Sequence, residues 1–211
     1  MNINLHILNS SGSLTPFTRD IKRIFDQSIK QITSKIPISD VDVVIYDNPN
    51  FAIPEIGIGG YAQNEHIVWI YIDPAFSNLA QSIEKELGRT LAHEFLHALR
   101  WKGPGYGKTL FEALITEGLA DHFDIEVNKA KPHFWDTVLS NKFIQKYLEL
   151  AKTEFNNKDY KHSDWFFGSK ERDIPKGTGY SLGFYLVGEY LEKNPKEKAS
   201  SLYNKKAKDF R

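Results

Sequence analysis

The chain has 211 residues, 41% hydrophobic and 26% charged, ordinary values for a globular protein with enough length for one domain or two lobes. Its 27 basic residues equal its 27 acidic ones, so the formal net charge of +0 offers no bulk attraction to nucleic acid or anionic lipid. Cysteine is absent, which excludes disulfides and any zinc site built on thiolates.

In chain order, Met1-Asn2-Ile3-Asn4-Leu5-His6 lacks a basic region followed by a long apolar core. No segment approaches the ~20 apolar residues of a membrane span, so a cytoplasmic protein without a membrane partner is expected. Phe17 to Ile36 carries helical periodicity in Ile21, Ile24, Phe25, Ile29 and Ile32 and stops near Pro37. Val41 to Tyr46 reads as a β-branched strand, and Gly57-Ile58-Gly59-Gly60 as a tight turn leading to Tyr61. His66 to Asp73 reads as a strand buried on both sides or at a sheet edge, closed by Pro74.

Glu84 to Trp101 reads as one proline-free helix whose apolar Leu87, Leu91, Phe95, Ala98 and Leu99 turn inward; Gly103-Pro104-Gly105 stops it. A second helix is expected from about Lys108 to Val127, and further helices over Phe134 to Phe155 and Tyr180 to Lys193. Between the last two, Asn156 to Gly179 reads as a long polar loop. Its Trp165, Phe166 and Phe167 either anchor it to the core or wall a cleft. The order predicts an α+β fold: a small N-terminal mixed sheet with one long helix over residues 1–105, then a mainly helical lobe over 106–211, together one compact catalytic unit.

One segment names a chemistry. His93-Glu94-Phe95-Leu96-His97 puts two imidazoles one helical turn apart, about 40° around the axis, where both ring nitrogens can reach one zinc ion. Glu94, on the neighbouring flank, is placed to take a proton from a water on that ion, the general-base position of H-E-x-x-H. Three protein ligands and one open position are usual for a catalytic zinc. The metzincin continuation is excluded, because Arg100 stands where its Gly should be and Gly103 where its third His should be. The better third ligand is Glu117, in Thr116-Glu117-Gly118-Leu119-Ala120-Asp121 of the second helix, with Asp121 one turn on to orient a ligand imidazole. The competing reading of that helix is a solvated acidic face, since Glu112, Asp124 and Glu126 are close by.

H-E-x-x-H followed on a later helix by E-x-x-x-D resembles the gluzincin zinc peptidases, the group of thermolysin. More narrowly, Leu91 to His97 with Glu117-Gly118-Leu119-Ala120, Trp165-Phe166-Phe167-Gly168 and Gly179-Tyr180-Ser181-Leu182-Gly183 is similar to a family of predicted zinc-dependent proteases, over about Asp40 to Leu191. The resemblance implies a zincin-like fold, zinc held by His93, His97 and Glu117, Glu94 as general base, and a peptide or protein substrate. It also implies that the last strand before the active-site helix pairs with an extended substrate. Tyr180 is the first candidate to stabilise the oxyanion and His162 the second; a core role for Tyr180 and a solvated His162 are the rival readings. Arg100 reads either as the partner of a buried carboxylate such as Asp121 or as a cation at its helix end. A zinc-binding interaction module without proteolysis is the alternative function.

Overall fold

Alternation of Ile3, Leu5 and Ile7 with polar neighbours makes the first strand of a computed structural model that describes residues 2–211. Met1, the first residue of the stretch read for a leader, lies outside them. The chain divides into two units, Met1–Lys102 and Gly103–Arg211. Both belong to an α+β chain with one small mixed sheet and a mostly helical remainder.

In the first unit, β1 (Ile3–Leu8), α1 (Thr18–Thr33), β2 (Val41–Asp47), β3 (Ile58–Asn64), β4 (Ile67–Ile72) and α2 (Leu79–Trp101) follow in order. The four strands lie as β1-β2-β4-β3. β1 with β2 and β2 with β4 are parallel, whereas β3 and β4 form an antiparallel hairpin. Val41, Val43 and Ile45 of β2 and Val68, Ile70 and Ile72 of β4 are fully buried, the apolar face that the two helices cover. On the opposite face Tyr46 meets Trp69 and Tyr71 edge-on, with ring centroids 5.8 and 5.5 Å away.

Two expectations are corrected here. Of the run read as a tight turn, Gly57 does stand in a turn, at φ 69°, but Ile58, Gly59 and Gly60 belong to strand β3, where the glycines mark close approach: a Cβ on Gly59 would lie 2.2 Å from the Phe51 carbonyl oxygen. And β4, the last strand before α2, cannot add a substrate strand, since β2 and β3 occupy both of its edges. The free edge on that side of the sheet is β3. The strand β1 was not read from sequence at all.

In the second unit, α3 (Leu110–Asn128) opens on a capping box, with the Thr109 hydroxyl accepting the Glu112 N–H at 3.3 Å and Glu112 accepting the Thr109 N–H at 3.0 Å. It ends at Lys129 in the left-handed region, φ 51°. Then come α4 (Asn141–Lys152), α5 (His162–Phe166) and α6 (Thr178–Lys193). The helix expected over Phe134 to Phe155 is broken, a 3₁₀ turn at Phe134–Thr137 giving way at extended Ser140 to α4. The expected loop holds α5 and an isolated bridge between Ser169 and Ile174. Trp165 and Phe166 are fully buried and anchor it, while Phe167 stays 62% exposed. α3 and α6 cross with their backbones in contact distance, since a Cβ on Gly118 would lie 2.1 Å from the Gly183 carbonyl oxygen. Among the described residues no helix is long and apolar enough to cross a membrane.

Candidate metal and catalytic site

α2 is apolar on most of its circumference, with Ile83, Leu87, Leu91, Ala92, Phe95, Leu96 and Ala98 all fully buried. Two histidines and a carboxylate interrupt this surface. His93 is half-buried and His97 8% exposed, and their Nε2 atoms are 3.0 Å apart, the rings crossing at 73°. Nitrogens that converge so closely either share one proton or face one cation. Two imidazoles about 2.0–2.1 Å from a tetrahedral zinc stand about 3.3 Å apart, so the pair needs a few tenths of an ångström to fit. The donor set therefore suits the ion.

Glu94 is 7% exposed, and its Oε2 accepts the N–H of Ala62 on β3 at 2.8 Å. The strand can approach because residue 60 is glycine: a Cβ there would lie 2.5 Å from Glu94 Cγ and 2.7 Å from Oε1. Tyr71 lies within reach of the same charge, and its hydroxyl is pushed up to about 12, by burial first, then by Tyr46 and Glu94. Arg100 is 2% exposed, and burial lowers its pKa to about 10, which still leaves it cationic at neutral pH. It stands in the last turn of α2, as a helix-end cation does, but enclosed rather than solvated.

In the second unit, Glu117 is 7% exposed and Asp121 and Asp124 1% each, so this part of α3 is not the solvated acidic face that was its rival reading. Two phenols and an imidazole gather around Glu117. Tyr106 donates its hydroxyl to the Glu117 carboxylate and is held well above its ordinary pKa, by burial first and then by the Glu117 charge and that hydrogen bond. The Thr116 hydroxyl donates to the Tyr106 carbonyl at 3.1 Å, fixing the Tyr106 segment to α3. Tyr160 is raised to about 12 by burial, then by Glu117 and Glu112. Its hydroxyl lies 3.2 Å from His162 Nδ1.

His162 is not a solvated loop residue. It starts α5, stacks on Phe166 at 4.2 Å, and is held below its ordinary pKa by burial, which the Glu117 charge partly opposes. Tyr180 is half-buried in the first turn of α6, its ring meeting Phe166 edge-on at 5.0 Å. It is one of the smaller causes that raise Tyr106.

The remaining histidines are engaged elsewhere. His6 Nε2 lies 2.9 Å from Asp42, and His66 Nδ1 lies 2.8 Å from the Asp40 carbonyl. His122 stacks on Phe184 and bonds its carbonyl at 2.9 Å; His133 stacks on Trp135 and lies 3.5 Å from Asp124.

Tyr106, Tyr160, Gly60, Ala62 and Trp101 were not singled out from sequence. Tyr106 follows Gly103-Pro104-Gly105, a run legible only as a helix stop, and the others reach the site through tertiary pairing that no local spacing announces.

A family model described as "Predicted Zn-dependent protease (DUF2268)" matches residues 21–211. No curated protein and no solved structure matches the chain.

Proposed function

The chain belongs to the family of predicted Zn-dependent proteases, and from that premise we propose that it is a gluzincin-type, zincin-like zinc peptidase whose general base is Glu94. The observation that carries the reading is the convergence of the His93 and His97 Nε2 atoms beside a buried carboxylate. Glu117 is proposed as the third ligand, because it is a buried carboxylate on α3 and would complete the His-His-carboxylate set usual for a catalytic zinc. When bound, zinc would supply Lewis-acid polarisation of a peptide carbonyl and would acidify a water molecule.

The protein's own groups do the rest. Glu94 takes the proton of the attacking water and returns it to the leaving amine, one oxygen serving the transfer while Oε2 stays on the Ala62 amide. Tyr106 holds Glu117 by a phenolic hydrogen bond and so fixes which carboxylate oxygen is left to ligate. Asp121 orients a ligand imidazole. Tyr180 is the proposed donor to the developing oxyanion, with His162 as the second candidate.

An extended peptide or protein substrate would pair along β3 at Gly60. Backbone groups of alternate residues in an antiparallel strand point the same way, and those of Ala62 turn away from β4 toward α2.

The test is metal content and casein or mixed-peptide cleavage, in parallel on the wild type and Glu94→Gln, after dialysis against trace zinc. Both proteins are expected to hold one equivalent of zinc, with the variant slower by about 10²–10⁴. Unchanged turnover would remove Glu94 from the mechanism. Zinc in both with cleavage in neither would favour the interaction module.

A further inference from the structure

Glu94 and Trp101 stand about two turns apart on one face of α2, and both side chains end on the same residue of β3. Glu94 Oε2 accepts the Ala62 N–H at 2.8 Å, and the Trp101 indole N–H donates to the Ala62 carbonyl at 3.2 Å. One peptide-backbone residue on the sheet edge is thus gripped at both of its polar groups by one helix. Gly60 closes the remaining side, since any Cβ there would collide with the Glu94 carboxylate.

Burial does not account for tryptophan at this position, because Trp101 is 42% exposed. The sheet does not hold Ala62 firmly either. The β3–β4 register shifts between Ala62 and Asn64, a bulge at which the ladder is locally disrupted. At that irregularity α2 supplies what the ladder lacks.

We infer that Trp101 is a positioning residue for Glu94. By fixing the Ala62 carbonyl it fixes the amide on the same residue, and that amide sets the direction of the Glu94 carboxylate. Without the indole N–H, the Ala62 carbonyl turns to water, the bulged end of β3 loosens, and Glu94 samples orientations that miss the attacking water. The catalytic consequence rests on the reading of Glu94 as general base; the clamp itself does not.

The experiment uses Trp101→Phe, which keeps an aromatic ring and deletes the donor. Two measurements are made: kcat, KM and zinc content of the zinc-loaded protein, and hydrogen exchange of the Ala62 amide in the metal-free protein. The expected result is a kcat lower by about threefold to tenfold at unchanged KM and zinc content. Ala62 exchange should rise several-fold while the β4 amides keep wild-type protection. Wild-type kcat together with wild-type Ala62 exchange would overturn the inference. A raised KM at unchanged kcat would overturn it too, by making Trp101 a substrate contact, as would loss of zinc, by making it a support of the metal ligands. A wild type that cleaves nothing, while Trp101→Phe still frees the Ala62 amide, would sink the peptidase reading and leave the clamp on Glu94 standing.

Discussion

His122 shows how a single titratable side chain can serve structure on the same helix as a proposed metal ligand. Its ring lies parallel to that of Phe184, 4.1 Å away, and its Nε2 bonds the Phe184 carbonyl at 2.9 Å, tying α3 to α6. Burial lowers its pKa from the ordinary 6.5, with the Phe184 bond and Asp121 opposing. The folded chain therefore releases this proton more readily than the unfolded one. His122 contributes stability that is fully present above the unfolded value, about 6.5, and is lost as pH falls toward the folded value. The urea midpoint should accordingly fall between about pH 7.5 and about pH 5, with a shallower fall in His122→Gln, which keeps a donor without the titration; identical slopes in the two proteins would exclude His122 as a source. The same reasoning separates what could be read in the sequence from what could not. His93, Glu94 and His97 were legible because one helical turn fixes their spacing. Tyr106 and Tyr160 were not, because nothing within a few residues of either says that Glu117 is its neighbour.

At the scale of elements, glycine carries most of the information that pattern alone misreads. Gly118 and Gly183 sit in two separate motif pieces, E-G-L-A and G-Y-x-x-G, and the fold shows why each must lack a side chain: they lie against each other where α3 crosses α6. A Cβ on Gly118 would stand 2.1 Å from a carbonyl oxygen, and one on Gly183 would stand 2.2 Å from that of Leu114. Backbone cannot step aside as a flexible side chain can, so the helices must part. Gly118→Ala is expected to cost about 1–3 kcal/mol, read as a lower thermal midpoint by circular dichroism; a wild-type midpoint would mean the crossing adapts freely. Gly59 and Gly60 show the converse. Paired glycines in a sequence usually mark a turn, whereas these two let an edge strand lie close to its neighbours. The long amphipathic helices were legible because their apolar stripes persist over several turns. β1 was missed because Ile3, Leu5 and Ile7 make only a brief alternation, and the break at Ser140 because nothing in the apolar stripe from Phe134 onward marks it.

At the scale of the whole molecule, the ligands proposed for zinc are His93, His97 and Glu117. A ligand bound by the folded state alone stabilises it by mass action, about 4.1 kcal/mol at a free concentration 1,000-fold above Kd. Zinc should therefore raise the thermal midpoint of the wild type over its chelated form, and Glu117→Ala should hold less zinc by elemental analysis and show a smaller rise. Zinc content and shift both equal to wild type would move the third ligand elsewhere. The strand order also sets a sequence of events in time. β3 and β4 are joined across Glu65 and His66 alone, so their pairing is local, whereas Ile3 meets Val41 only after α1 has been gathered in between. Closing the longer loop costs more entropy before any contact offsets it. Topology thus favours a sheet built from the hairpin outward: the edge that carries Ala62 takes form early, and the N-terminal strand is the last to be enclosed.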